Sequence, residues 1–214
     1  MSSLAKRSAK YFFKEGLKTL GLVLGLECLL IIEWLIIGSD EESIVEYVLN
    51  MFMSVGSIFI VMMNLMYSFY GPNWYDSMAL SMGARRKDIF IGELIKQFTF
   101  VGGNFVALSL IAVIFQQYKY IILILISCII AIALGPIGLI VGHKVSKYGK
   151  VIIMIIAIIG GVFGVSLAMA GFWMNEFITG FPAFTFQLVI LGAIVIFGLA
   201  ELWAYKLNQK SMVK

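Results

Sequence analysis

The sequence predicts an all-α polytopic membrane protein. It has six transmembrane helices, an N-terminal amphipathic helix lying on the membrane surface, and a short cytoplasmic helix between spans two and three. Three observations carry that prediction. Apolar residues make up 61% of the 214 positions and the mean hydropathy is +0.99, against roughly 45–50% apolar content in soluble domains. They gather into six stretches of roughly 18–22 residues, each long enough to cross a hydrocarbon core of ~30 Å. All but one of the 16 Lys and Arg residues fall on one side of that pattern, Lys119 being the exception. Basic residues stay on the cytoplasmic face during insertion, so both termini and the second and fourth loops are assigned to the cytoplasm.

The elements follow in order along a single transmembrane domain, residues 1–214. Residues 1–18 interleave Leu4, Tyr11, Phe12 and Leu17 with Lys6, Arg7, Lys10, Lys14 and Lys18, the pattern of a helix resting at the headgroups before it turns into the first span. This segment is charged and no A-x-A-like site follows the first apolar run, so a cleavable signal peptide is not expected. The first span, Leu17 to Ile37, carries Glu27 near its middle, where an ionised carboxylate costs roughly 2.5–3.5 kcal/mol on insertion scales. Two readings of Glu27 stand side by side: a polar patch on a translocation path or interface, or a structural hydrogen bond to an amide such as Asn64 or Asn104. Glu33 falls roughly 120° away around the helix, so the two acids are not a one-face pair. The outer loop from Gly38 to Glu46 holds Asp40, Glu41, Glu42 and Glu46 and reads as an ordinary solvated loop.

The second span, Val48 to Phe69, leads into the longest cytoplasmic connection, residues 70–97. Pro72 is expected to end the preceding helix, Asn73 to cap a new one with Asp76 near its positive end, and Gly83 to stop it. The product is a short helix over about Trp74 to Met82, apolar at Trp74, Met78 and Leu80, polar at Asp76, Ser77 and Ser81, and followed by Arg85, Arg86 and Lys87. Such a surface suits insertion into a groove on a cytoplasmic partner. The third span runs from Phe98 to Phe115 and the fourth from Ile121 to Val141, with Gly135, Pro136 and Gly138 expected to kink the latter. His143, the only histidine, has no metal partner and reads as a loop residue. The fifth span, Val151 to Phe172, carries a small face of Ala157, Gly160, Gly161, Gly164 and Ala168 that permits close helix contact, within one chain or between two. An outer segment from Trp173 to Pro182, a short interfacial helix or re-entrant turn, precedes the sixth span, Phe184 to Trp203. Cys28 and Cys128 lie in spans and read as small buried hydrophobes.

These features exclude several classes of function. The net charge of +4 is arranged against a membrane, which argues for lipid headgroups and against nucleic acid. No paired histidines or Ser/His/Asp arrangement supports an enzyme, and no G-x-x-x-x-G-K-[ST] phosphate loop is present.

The run Ser81 to Gly92, S-M-G-A-R-R-K-D-I-F-I-G, resembles the segment after the second span in small permeases of bacterial ATP-binding-cassette exporters, the type-2 ABC permease family. The layout is similar over essentially the full length. The resemblance implies a permease subunit in the bacterial plasma membrane, working with two ABC ATPase subunits and a second permease copy or paralogue. No cofactor belongs to this chain; ATP and Mg²⁺ sit on the partner. It makes the short helix a coupling helix, with Trp74, Tyr75, Asp76, Met78, Leu80, Arg85, Arg86 and Lys87 meeting the ATPase and His143 to Lys150 a second contact. The fifth-span small face becomes a candidate permease dimer interface, and Glu27, Asn64 and Asn104 candidates for the translocation path. The apolar spans point to a hydrophobic or amphipathic cargo: a peptide, lipid or toxin. A substrate-binding membrane subunit of an energy-coupling-factor importer, taking a vitamin or metal, is the alternative; the long basic segment after span two and the short outer loops favour the exporter.

The orientation is testable. A cysteine at Ser211 should react with an impermeant maleimide only after the membrane is opened, and one at Glu41 should react in intact cells; labelling of both from outside rejects the arrangement.

Overall fold

The computed structural model describes residues 3–37, 43–148 and 183–210. The expected fifth span with Ala157, Gly160, Gly161, Gly164 and Ala168, the acidic residues Asp40, Glu41 and Glu42, and the last outer loop lie outside them. The described residues form six helices: α1 (Ser3–Ile37), α2 (Ile44–Tyr70), α3 (Asp76–Ser81), α4 (Arg86–Ile114), α5 (Lys119–Tyr148) and α6 (Ala183–Lys210), with a π-helical turn at Gly71–Tyr75 between α2 and α3. All except α3 are long and apolar enough to cross a membrane.

Helix α1 corrects the first expectation. The charged N-terminal segment does not form a separate surface helix; it continues unbroken into the apolar run as one helix of 35 residues. The reason is a stripe at helical spacing, Ala5, Ser8, Phe12, Gly16, Val23 and Glu27, that is buried along the whole length, while Lys6, Arg7, Lys10, Lys14 and Lys18 stay exposed on other faces. The stripe packs on α4 through glycines. Phe12 lies against Gly92, Gly16 against the Lys96 carbonyl and Leu20 against Gly103. These contacts rise along both helices together, so α1 and α4 are parallel.

Helices α2 and α5 form a second parallel pair. The Tyr120 hydroxyl donates to Asn50 Oδ1 at 2.6 Å, Asn64 Nδ2 donates to the Ala131 carbonyl at 2.7 Å, and Gly138 and Gly142 lie against the Leu65 and Phe69 carbonyls. Gly138 is thus a close-approach site for α2, and Pro136 sits inside an unbroken α5. Helix α6 runs antiparallel to α4: Phe90 meets Tyr205 and Phe98 meets Phe197 edge to face. At the end of that pair the Arg86 guanidinium donates to the Gln209 carbonyl, and Asn208 Nδ2 donates to the Arg86 carbonyl at 3.1 Å. The α1 and α4 N-termini therefore share one end of the bundle with the α2, α5 and α6 C-termini. Arg85 to Lys87, Lys144 and Lys206 gather there with the basic residues of α1.

The connection between α2 and α4 also departs from expectation. Pro72 does not stop the helical winding but falls within the π-helical turn, where the Asp76 amide reaches back to the Gly71 carbonyl. A proline lacks the N–H and crowds the carbonyl four residues back; wider winding accommodates both defects. Asn73 consequently sits inside that turn, and Tyr75 occupies the N-cap position of α3. The stop is as expected: Gly83 adopts φ 83°, a conformation glycine takes at no steric cost. Helix α4 then starts with the Arg85 amide donating to the Asp88 carboxylate at 3.2 Å. Two smaller readings change as well. His143 belongs to α5 and not to a loop, and Cys28 is exposed while Cys128 is buried, both as free thiols.

A Cβ at position 92 would run into the Phe12 ring, whereas one at 102 would meet nothing within 4 Å. Gly92→Val should therefore lower the melting temperature of the purified protein by the equivalent of about 1–3 kcal/mol of overpacking, and Gly102→Val should leave it nearly unchanged.

Candidate functional site

At the basic end, charged side chains enter the core of the bundle. Lys96 lies one turn after Glu93 on α4, and the two are 0% and 2% exposed. They form an ion pair, as residues three apart on one helix face can. The ammonium is also enclosed by rings: Tyr67 of α2 with its centroid at 4.5 Å, Tyr75 of the π-helical turn at 4.7 Å, and Phe12 of α1 at 6.0 Å. Aromatic faces carry negative potential and stabilise a desolvated cation. Lys96 is thus not a headgroup anchor like the other basic residues counted with it. It is a structural cation whose partners come from α1, α2, α4 and the turn.

Two further carboxyl groups approach this pair. The π-helical turn delivers Asp76, which is 6% exposed and whose Oδ1 has no hydrogen-bond partner. Burial foremost, with the neighbouring Glu93 charge, pushes its carboxyl up to about 8, Lys96 opposing the shift. From α6 comes Glu201, 9% exposed with both oxygens unpartnered and within electrostatic reach of Glu93. Glu93 itself abuts Gly71, where a Cβ would meet its Oε1 at 2.9 Å. Two carboxyl groups, Glu93 and Asp76, thus face one ammonium, and a third, Glu201, lies within electrostatic reach of Glu93. Among the described residues no three His, Cys, Asp or Glu side chains converge as a metal-binding group.

Deeper in the bundle the interior carries amides and one more acid. Gln97 and Asn64 meet beside Gly135, where a Cβ would lie 2.8 Å from Asn64 Nδ2. Asn104 Nδ2 is spent on the Phe100 carbonyl of its own helix at 2.9 Å. Glu27 is fully buried next to Gly56 and Leu108, with neither oxygen partnered. The hydrogen bond to Asn64 or Asn104, one of the two readings of Glu27, is therefore not made; both amides donate to backbone carbonyls instead. Buried polar groups left without partners inside an apolar bundle are costly and mark functional candidates.

The residues read from sequence as contacts for a partner divide in two. Trp74, Met78, Arg85 and Lys87 are exposed. Asp76 is buried, Tyr75 faces the Lys96 ammonium, Leu80 packs with the small cluster around Phe12, Ala79 and Ile89, and Arg86 is tied to the end of α6. Glu93, Gln97 and Glu201 carried no role in the sequence reading, and Lys96 only that of one more cytoplasmic basic residue. The available signal was an E-x-x-K pair, followed at once by Gln, within an otherwise apolar helix, and a carboxylate near the end of the last apolar run.

Removing one partner of a buried ion pair leaves an uncompensated charge, whereas removing both is often nearly neutral. Lys96→Met should accordingly destabilise the protein by about 3–5 kcal/mol, and Lys96→Met combined with Glu93→Gln should recover most of that loss in thermal unfolding.

No protein-family model matches this chain, and no curated protein or solved structure matches it.

Proposed function

We propose that the chain is the transmembrane permease subunit of an ATP-binding-cassette transporter, exporting a hydrophobic or amphipathic cargo by alternating access. ATP and Mg²⁺ are held by separate ATPase subunits, and a second permease copy or paralogue completes the translocation path.

One observation carries this reading: the connection between α2 and α4 is folded, packed on one side and open on the other. Ala79 is fully buried, whereas Trp74 is 70% exposed and Met78 and Met82 slightly over half exposed. Such large apolar side chains along the π-helical turn and α3, flanked by exposed Arg85 and Lys87, have the chemistry of anchors for a partner's groove with a basic rim to steer the encounter. The packed side supplies stiffness. Tyr75 and Asp76 enter the charged core through Lys96 and Glu93, and Ala79 and Leu80 pack with Phe12 of α1 and Ile89 of α4. A push on α3 is therefore delivered to α1, α2 and α4 together, as conversion of ATPase closure into movement of spans requires. The buried polar groups Glu27, Asn64, Gln97 and Asn104 provide polar lining for the path.

Replacing Trp74 and Met78 together with Asp should abolish co-purification with the proposed ABC ATPase partner, and lower ATP hydrolysis by the reconstituted complex at least about tenfold. The spans should remain inserted, because neither residue contributes to an apolar crossing. Unchanged binding and hydrolysis in the double variant reject α3 as the coupling element.

A further inference from the structure

The charged core holds more acid than its one ammonium can neutralise. Glu93 and Lys96 cancel each other as an ion pair, and the remaining demand of the ammonium is met by the ring faces of Tyr67 and Tyr75. Asp76 arrives in this environment from α3, 94% removed from solvent (6% exposed), with Oδ1 unpartnered. A carboxylate in such a place lacks the solvation that water would provide. As a neutral acid it loses far less.

We propose that Asp76 is a proton-binding site whose occupancy holds α3 against the bundle. When the site empties, the carboxyl O–H bond breaks, the proton passes to solvent and the electron pair stays on the carboxylate. The charge left behind then favours the position of α3 in which Asp76 reaches water. The site is read from the packing of α3 and rests on no transport assignment, so it can fail while the permease reading stands, or the reverse.

Of the groups facing Asp76, all but Lys96 favour its neutral form or add no positive charge. On α4, Glu93 opposes a second negative charge and Lys96 favours it. On α1, Tyr11 lies within electrostatic reach of Asp76 and is itself beside Glu15. The rings of Tyr67 from α2 and Tyr75 from the turn add no positive charge, and Glu201 of α6 brings a third carboxyl up to Glu93. Lys96 is the one cation among these groups, and Glu93 already occupies it.

The sign of the pH dependence follows. With α3 packed, the Asp76 carboxyl titrates at about 8; with α3 released and solvated it returns to the ordinary 3.8. Between those values the packed form holds the extra proton, so packing weakens as pH rises through the window and stops changing above about 8. Deuterium exchange of the backbone amides of 76–82 reports this directly in the full-length protein in lipid nanodiscs, corrected for intrinsic exchange. From about pH 6 to pH 8 the opening constant should rise by up to about tenfold per pH unit and then level off. Asp76→Asn should be flat across the range.

If Asp76→Asn does not assemble, Glu93→Gln serves in its place. Without the Glu93 charge, Asp76 pairs with Lys96 and the profile should level off at lower pH. A flat wild-type profile, a wild-type slope that persists in Asp76→Asn, or an unshifted profile in Glu93→Gln overturns the proposal. So does a profile that Na⁺ or K⁺ reproduces at constant pH, which would assign the site to a metal cation.

Discussion

A lysine ammonium inside an apolar bundle persists only if surrounding elements supply its counter-charge, and the Lys96 ion pair with Glu93 is the constraint on which the basic end of this protein depends. Glu93 comes from the same helix face, but the rings that enclose the cation come from three other elements. Each must be held to within a few ångströms for the charge to be tolerated. The glycines explain how. Gly92 and Gly16 let α1 approach α4 closely enough for Phe12 to reach the cation, and Gly71 leaves room for the Glu93 carboxyl beside the turn. Close approach and charge burial are two sides of one arrangement.

The two parallel pairs, α1 with α4 and α2 with α5, are closed by α6 through Arg86 and the end of that helix. This brings helix ends that are far apart in sequence to a common layer with the basic residues. The connection that carries α3 is built into the same layer. Pro72 is absorbed by π winding, which turns Tyr75 and Asp76 inward while leaving Trp74 and Met78 outside. A segment that joins an exposed apolar face to a charged core can respond both to a docked partner and to a proton. These are the two roles proposed for it, and they use opposite sides of the segment.

Long-range polar arrangement inside the bundle is less regular. Glu27, Asn64 and Asn104 are all fully buried, as carboxylate and amide groups within apolar spans suggested, yet they do not pair with one another. Asn64 bridges α2 to α5, Asn104 bonds its own helix, and Glu27 is left to Gly56 and Leu108. A polar residue in an apolar run signals that the position is unusual; its partner depends on which helices are neighbours.

The amino-acid sequence by itself determined the all-helical class, five apolar helices among the described residues long enough to cross a membrane and the stop at Gly83, because hydropathy, helical periodicity and the left-handed preference of glycine are local properties. It also marked Trp74 and Met78 as an apolar face. The continuity of α1 was not legible. Local charge around Lys6 to Lys18 argued for a surface helix, and only the stripe from Ala5 to Glu27 packing on α4 shows that the same helix carries through. Nor was the core. Lys96 counts as one more basic residue until folding places Tyr67, Tyr75 and Phe12 around it, and Asp76 reads as a helix-end acid until the π-helical turn directs it toward Glu93. Charge in a folded protein takes its meaning from the groups within a few ångströms, and those are set by tertiary contacts between residues as far apart as Phe12 and Lys96.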